Sequence, residues 1–221
     1  MVTNGALLAL SLALNVIMKP KFNIYTFLKQ RPLSWSALSS FEYDPEQWYS
    51  RYILGEKGPE SHEMKFGKIV ANSFGTDKPL APVTLYPVVE QPLKVVFNRI
   101  PLIGFMDTYD PKTHNFREFK TAKTLWTKEK AEAHGQLRMY AMMLFITHKV
   151  KPEDYTIHLD CIQTIEGGDF NLNFVKPFNI VSYQVKITMQ DILNFGARIN
   201  KAVKEMEVYA QARLQAKVGG V

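Results

Sequence analysis

The sequence predicts an α/β (α+β) protein in which a mixed central β-sheet is flanked by helices. Three observations predict this fold class: helical spacing opens the chain, a β-rich stretch fills its middle, and helices alternate with strands towards its end. With 221 residues, of which 46% are hydrophobic, the chain is able to bury a substantial core. Composition therefore excludes a disordered chain, and the 12 Gly and 12 Pro residues exclude collagen-like and low-complexity classes.

Residues 1–18 are expected to form an apolar N-terminal extension, and residues 19–221 a single domain. The uncharged run from Ala6 to Met18 is shorter than the ~20 residues that a membrane-spanning helix needs, so no stable membrane association is expected. A secretory signal, a domain that naturally begins at Met18 and a short helix packed on the domain remain open. The first five residues lack Lys and Arg, which argues against the signal, and the rest of the chain is typical of a cytoplasmic protein.

A helical stretch is expected from Pro32 to about Phe74. Ser34 or Ser36 is a suitable N-cap for its first helix. The residues that follow are mostly three or four positions apart, as on one face of a helix: Leu38, Phe41, Pro45, Trp48, Tyr49, Tyr52 and Ile53. The segment Gly55–Pro59 interrupts this stretch, and a second helix is expected from Ser61 onwards.

The middle of the chain is predicted to form four strands, which span Val83–Val89, Leu93–Phe97, Leu102–Tyr109 and Phe116–Thr121. The polar segment 110–115 joins the last two strands and has the composition of a hairpin turn. An antiparallel meander is therefore expected here.

Helices and strands alternate in the last part of the chain. A helix is expected over Thr127–His148, with Thr127 as its N-cap, and two strands are expected over Tyr155–Ile165 and Ile180–Thr188. A long helix should then run from Met189 to about Lys217. Thr188 and Asp191 have the spacing of a capping box at its start.

Charge and cysteine content limit the chemistry that the chain can perform. Lys and Arg exceed Asp and Glu by 27 to 21, and the net charge of +6 allows a polyanionic partner. Cys161 is the single cysteine, which excludes an internal disulfide, a thiolate zinc site and a four-cysteine iron–sulfur cluster. Any catalysis must therefore use carboxylates, lysine, histidine or hydroxyl groups.

Two predicted neighbouring strands carry a candidate metal site. Asp107 ends one strand, and the two-residue period of the next strand places Glu118 and Lys120 on one face. Two carboxylates in such a patch suit Mg²⁺ or Mn²⁺, which prefer oxygen ligands. A lysine beside them is able to position water or to stabilise negative charge on a phosphate.

The helix that follows adds polar groups next to this patch. Gln136 and Tyr140 are four residues apart on one helical face, and both are able to donate hydrogen bonds to phosphate oxygens. Lys123 flanks the site and is a candidate phosphate contact, although an ordinary solvated basic face would explain it equally well. His134, two residues before Gln136, is a further candidate for approach to the site.

Together these segments resemble the PD-(D/E)xK nuclease superfamily, in its RecB-like and lambda-exonuclease-like branch. The family pattern is G-x-x-D, then (D/E)-x-K-T, then Q-x-x-x-Y. Its three parts correspond to Gly104–Asp107, Glu118–Thr121 and Gln136–Tyr140. The segment Leu33–Gly55 is also similar to the opening helix of the family, and the resemblance covers Pro32–Thr188.

The resemblance implies a restriction-endonuclease-like core and a set of site roles. Asp107 and Glu118 would bind Mg²⁺ or Mn²⁺, with the backbone carbonyl of Phe119 as another ligand. Lys120 would act on the attacking water, and the Gln-x-x-x-Tyr pair would position the scissile phosphate. The implied activity is metal-dependent hydrolysis of DNA to 5′-phosphate ends, as by an exonuclease of recombination or repair in a bacterial or phage-infected cell. Related exonucleases form ring-shaped trimers, so a homo-oligomer is allowed.

Two departures from the family pattern affect these expectations. Cluster-bearing relatives have a cysteine before the proline of the opening helix, whereas here Asp44 precedes Pro45, so no iron–sulfur cluster is expected. The family often places a His or Glu on an early helix as an extra metal ligand. The corresponding positions here are Ala71 and Asn72, of which only Asn72 offers a weak ligand, its amide oxygen.

Two alternatives to a nuclease remain open. The first is a non-catalytic nucleic-acid-binding protein with a nuclease-like fold, which the missing acidic ligand near Asn72 favours. The second is an unrelated α/β binding protein in which the motif arises by chance.

Overall fold

The computed structural model describes residues 21–60, 62–74, 76, 83–122, 124–163 and 179–219. The predicted N-terminal extension and Lys123 lie outside these ranges. Within them, the helices are α1 (Ile24–Gln30), α2 (Trp35–Tyr43), α3 (Pro45–Trp48), α4 (His62–Ser73), α5 (Lys128–Glu132), α6 (Gly135–His148) and α7 (Met189–Gly219). The strands are β1 (Val88–Phe97), β2 (Ile100–Asp110), β3 (Asn115–Ala122), β4 (Thr156–Gln163) and β5 (Ile180–Val185). A π-helical turn, Tyr49–Ile53, follows α3, and a 3₁₀ turn, Pro152–Asp154, precedes β4.

The five strands form one mixed sheet in the order β1-β2-β3-β4-β5. Only β3 and β4 pair in parallel, and α5 and α6 form the crossover between them. The predicted fold class, a mixed sheet flanked by helices, is therefore confirmed. No helix in the described ranges combines the length and the apolar character that crossing a bilayer requires.

Side-chain alternation along β3 and β4 separates two hydrophobic clusters. Phe116 and Leu159 belong to the main cluster, which α1, α2, α6 and α7 cover, whereas Phe119 and Ile162 belong to the second. Since successive side chains of a strand point to opposite faces, the two clusters lie on opposite faces of the sheet. Helix α4 covers the second face through the apolar residues Phe66, Val70 and Phe74.

Local sequence chemistry explains where several helices begin. Ser34 accepts a hydrogen bond from the N–H of Ala37, and Thr127 caps α5 in the same way. At α7 the N–H of Thr188 donates to Asp191 Oδ2 at 2.8 Å, and the N–H of Asp191 donates to Thr188 Oγ1 at 3.2 Å. These reciprocal bonds form the predicted capping box.

Two predicted boundaries are wrong. The first strand, expected over Val83–Val89, begins only at Val88, and it continues without a break through the second, expected over Leu93–Phe97, as β1. β1 tolerates Pro92 because it is the edge of the sheet. The turn to β2 lies at Asn98 and Arg99, within the connection expected between Phe97 and Leu102, and their φ values of 46° and 66° close the hairpin.

The helix expected over Thr127–His148 is two helices, α5 and α6. The chain turns between them because His134 is extended, with φ −68° and ψ 113°. A side chain at Gly135 would place its Cβ 2.4 Å from the indole of Trp35, so only glycine allows this close approach at the start of α6.

We predict that Thr188→Ala destabilises the protein by about 1 kcal/mol, because α7 loses its capping box. Urea unfolding followed by circular dichroism measures the loss. Thr147→Ala is the control, since the Thr147 hydroxyl only bonds the carbonyl of Met143 within α6. Equal losses in the two variants would contradict the capping role.

Candidate metal-dependent active site

The candidate site lies where β2 and β3 separate. Their recorded pairing runs only over three positions, from Thr108 opposite Arg117 to Asp110 opposite Asn115. Nearer the start of β2, Leu33 pairs with this strand in place of β3. The N–H of Leu33 donates to Pro101 O at 2.9 Å, and the N–H of Ile103 donates to Leu33 O at 3.0 Å. A fork therefore opens between β2 and β3 directly after their last pair.

Asp107 and Glu118 are the first residues inside this fork, one on each strand. Asp107 Oδ2 accepts a hydrogen bond from the N–H of Phe119 at 2.6 Å. The carboxylate thus satisfies a backbone donor that has lost its strand partner, as buried backbone groups require. Burial raises the pKa of Asp107, while the nearby Lys120 and the Phe119 N–H act in the opposite direction.

The N–H and C=O groups of one residue in an extended strand project towards the same neighbouring strand. Since the Phe119 N–H points at Asp107, the Phe119 carbonyl also faces the fork. By this strand geometry, the carbonyl oxygen lies on the same edge of β3 as the N–H group that Asp107 accepts from.

Glu118 is the most deeply buried carboxylate of the site, with 2% of its surface exposed. Its Oε1 accepts a hydrogen bond from Lys120 Nζ at 2.5 Å, whereas its Oε2 is buried without a hydrogen-bond partner. Burial, and secondarily the charge of Asp107, raise the pKa of Glu118 to about 8, against the opposing effects of Lys120 and of the neighbouring Gln136 side chain. One oxygen of this carboxylate therefore lacks the compensation that a buried charge needs.

Gln136 and Tyr140 reach the fork from α6. Gln136 Nε2 donates to Tyr140 Oη at 2.7 Å, and the Tyr140 hydroxyl donates to the carbonyl of Phe105 at 2.6 Å. Tyr140 thus satisfies a carbonyl of β2 in the region of the fork. Tyr140 is buried and its hydroxyl proton is used within the protein, whereas Gln136 is partly exposed.

Gly104 makes room for the tyrosine. A Cβ atom built at this position would lie 2.5 Å from Cε1 of the Tyr140 ring. The spacing of Gly104 and Asp107 therefore serves two purposes on one strand: the glycine admits the ring, and the aspartate enters the fork three residues later.

Not every predicted site residue joins this group. Asn72 is exposed on α4, and the helical repeat turns it away from the face that packs on the sheet through Phe66 and Val70. Helix α4 also covers the face opposite to that of Glu118, so the weak candidate ligand Asn72 is not brought to the fork. Lys123 lies outside the described residues, and its predicted phosphate contact stays a prediction.

Glu90 is a neighbour of the site that the sequence analysis missed. The register of β1 and β2 pairs Val89 with Thr108 and Gln91 with Met106, which sets Glu90 opposite Asp107. The Glu90 charge contributes to the raised pKa of Asp107, and its φ of 50° is strained for a residue with a side chain. The predicted strands Val83–Val89 and Leu93–Phe97 left Glu90 in the connection between them, so its position opposite Asp107 was not predicted.

The donor set fits a hard divalent cation. Asp107, Glu118 with its unpartnered Oε2, and the Phe119 carbonyl offer oxygen atoms only, which is the preference of Mg²⁺ and Mn²⁺. Within the described part of the chain no group of three or more His, Cys, Asp or Glu residues is arranged to hold a metal. A cation here would therefore depend on two carboxylates, the backbone carbonyl and water.

No protein-family model and no curated protein match the chain. Among solved structures, it is similar to a phage-related exonuclease from Haemophilus somnus 129PT, with a TM-score of 0.45 and 11% identity over 92% of this chain and 99% of that one. It is also similar to a protein from Eubacterium rectale provisionally described as an exonuclease, with a TM-score of 0.36 and 10% identity over 91% and 73% of the two chains.

We predict that Gly104→Ala destabilises the protein by about 1–3 kcal/mol, because the added methyl group overlaps the Tyr140 ring. Urea unfolding measures the loss. Gly58→Ala is the matched control, since its Cβ would have no atom within 4 Å, and it should unfold like the wild type. Equal stability of the two variants would contradict the close approach of Tyr140 to β2.

We predict that Glu118→Gln removes a pH dependence of stability. With a pKa of about 8 when folded and 4.5 when free, Glu118 holds a proton in the folded protein that the unfolded chain releases. Stability of the wild type should therefore fall as the pH rises from about 4.5 to about 8 and level off above it. Relative to the wild type, Glu118→Gln should gain about 1–3 kcal/mol between pH 5 and pH 9.

Urea unfolding of the metal-free protein at both pH values measures this gain. Glu205→Gln, an exposed carboxylate on α7, is the control and should keep the wild-type dependence. If Glu118→Gln also kept the wild-type pH dependence of stability, that dependence would not arise from a proton held by Glu118.

Proposed function

We propose that the protein is a metal-dependent nuclease that hydrolyses phosphodiester bonds of DNA. The observation that carries the proposal is the buried, unpartnered Oε2 of Glu118 in the fork that also holds Asp107 and the Phe119 carbonyl. Ionising a buried carboxyl group whose Oε2 has no donor is costly, and a bound cation is a direct way to compensate that negative charge.

Asp107, Glu118 and the Phe119 carbonyl would hold the cation. A divalent cation bound there would supply positive charge that stabilises the negative charge developing on a phosphate. The two carboxylates contribute by presenting their oxygens from rigid, neighbouring strands, so that little rearrangement is needed on binding.

Lys120 supplies a positive charge beside the two carboxylates of the site. Its side chain is 23% exposed, so the ammonium group connects the buried Glu118 with the solvent side of the fork. From there it is able to orient an attacking water and to donate a hydrogen bond to a phosphate oxygen.

The surroundings of the site favour a polyanionic substrate. The positive charges of Lys120, Lys130 and Arg138 all act on His134, at the start of α6, and each lowers its pKa. Gln136 is partly exposed in the same region and has an amide N–H to offer. A backbone phosphate at this position would meet cations and donors, as nucleic-acid-binding proteins provide.

The finer assignment follows the family resemblance. It favours an exonuclease of the PD-(D/E)xK type that requires Mg²⁺ or Mn²⁺ and acts in recombination or repair in the cytoplasm of a bacterial or phage-infected cell. Linear duplex DNA would be degraded from its ends, and a covalently closed circle would stay intact.

A second candidate is a nucleic-acid-binding protein that does not cut. Among the described residues no group of three or more His, Cys, Asp or Glu residues could hold a metal, and the exposed Asn72 is turned away from the fork. Both observations favour this candidate. Such a protein would shift DNA in a gel at every Mn²⁺ concentration and leave its length unchanged.

We predict that Glu118→Gln and Lys120→Met each lower Mg²⁺-dependent cleavage of linear duplex DNA by at least about 10²-fold, because charge stabilisation at the phosphate is lost. Gel assays with a 5′-labelled duplex, next to a closed circular plasmid, measure the rates. The exposed pair Lys201 and Glu205 on α7 provides matched controls, Lys201→Met and Glu205→Gln, which should cut like the wild type. Undiminished cleavage in both site variants would refute the proposal.

A further inference from the structure

His134 is held in one orientation by two tryptophans. The imidazole makes edge-on contacts with the rings of Trp35 at 5.4 Å and Trp126 at 5.1 Å, with interplanar angles of 76° and 75°. Neither indole offers a hydrogen bond to the imidazole in these contacts, so the polar atoms of the histidine must find partners elsewhere. His134 Nε2 lies 3.3 Å from Gln136 Oε1.

His134, Gln136, Tyr140 and the Phe105 carbonyl form a series of hydrogen bonds. The donor and acceptor of each bond follow from the Phe105 carbonyl, which ends the series. The carbonyl of Phe105 only accepts, so the Tyr140 hydroxyl must donate its single hydrogen there. The Tyr140 oxygen then accepts from Gln136, which has to use its amide nitrogen. Gln136 Oε1 is consequently turned towards His134, and Nε2 of the histidine must carry the hydrogen.

We propose that His134 is a positioning residue that donates its Nε2–H to Gln136 Oε1 and, together with Tyr140 on the other side, holds the Gln136 amide in one orientation beside the acidic pair. The inference rests on the proposed nuclease function and deepens it. With the amide fixed, the second hydrogen on Gln136 Nε2 is available to Glu118 or to a substrate phosphate. Without the histidine, the bond from Gln136 Nε2 to Tyr140 would have to hold the amide without help from the Oε1 side, and the amide would move more freely.

Two further features agree with this role. His134 is the N-cap residue of α6 yet its side chain makes no capping bond, although Ser, Thr, Asp or Asn would serve that purpose better. Burial and the neighbouring cations Lys120, Lys130 and Arg138 lower the pKa of His134 to about 4, against the effect of Gln136. The ring is therefore neutral at pH 7 and has one hydrogen to place.

Nitrogen NMR of the metal-free protein tests the tautomer without any activity. We expect the His134 imidazole to carry its hydrogen on Nε2 at pH 7 and to stay neutral down to about pH 5. An Nδ1–H tautomer or a charged ring at pH 7 would overturn the proposal, whether or not the protein cuts DNA. The two claims therefore fail separately.

A double-mutant cycle tests the coupling to Gln136. His134→Phe keeps an aromatic ring between the tryptophans and removes the hydrogen-bond donor. This variant should fold like the wild type and cleave DNA with Mn²⁺ about 3–30 times more slowly. In a Gln136→Ala background the same substitution should have no further effect, because the group that it orients is gone.

Additive effects would show that His134 acts through packing alone and would overturn the positioning role. His148→Phe, at the other end of α6, is the matched control and should cleave like the wild type. In metal-free His134→Phe, the side-chain NH₂ resonances of Gln136 should shift towards those of a mobile amide, and unchanged resonances would also overturn the proposal.

Discussion

The buried carboxylate of Glu118 is the constraint on which the site depends. Folding buries this carboxylate on the central strand β3, where it is 2% exposed. Its Oε1 accepts a hydrogen bond from Lys120, whereas its Oε2 has no hydrogen-bond partner. A negative charge in that position costs free energy, and the pKa of Glu118 is therefore raised. The remaining cost is the kind that natural proteins accept at functional sites, where a bound ligand supplies the missing partner.

The fork between β2 and β3 creates this environment, and the motif residues hold it open. Where the strands separate, backbone groups lose their partners, and side chains replace them: Asp107 accepts from the Phe119 N–H, and Tyr140 donates to the Phe105 carbonyl. The same residues that would serve a nuclease therefore also complete the backbone hydrogen bonding of the sheet. This double use gives the spacing of the motif a structural reason beside its chemical one.

The sequence alone predicts the features that depend on residue spacing and on the chemistry of neighbouring residues. The capping box of Thr188 and Asp191, the mixed sheet and the neighbourhood of the acidic pair with its lysine all follow from spacing and strand period. Features that depend on distant partners were not predictable: α6 begins at Gly135 because Trp35, a hundred positions earlier, packs against it, and the fork exists because Leu33 takes over the edge of β2. The unbroken β1 likewise depends on its place at the sheet edge, which only the assembled fold determines.

The proposed activity requires that the fork between β2 and β3 bind a divalent cation. The most direct measurement is a crystal structure with Mn²⁺, in which anomalous scattering locates the ion. We expect one peak within coordination distance of Asp107, Glu118 Oε2 and the Phe119 carbonyl. An empty fork at saturating Mn²⁺, or an ion bound only elsewhere on the protein, would contradict this expectation.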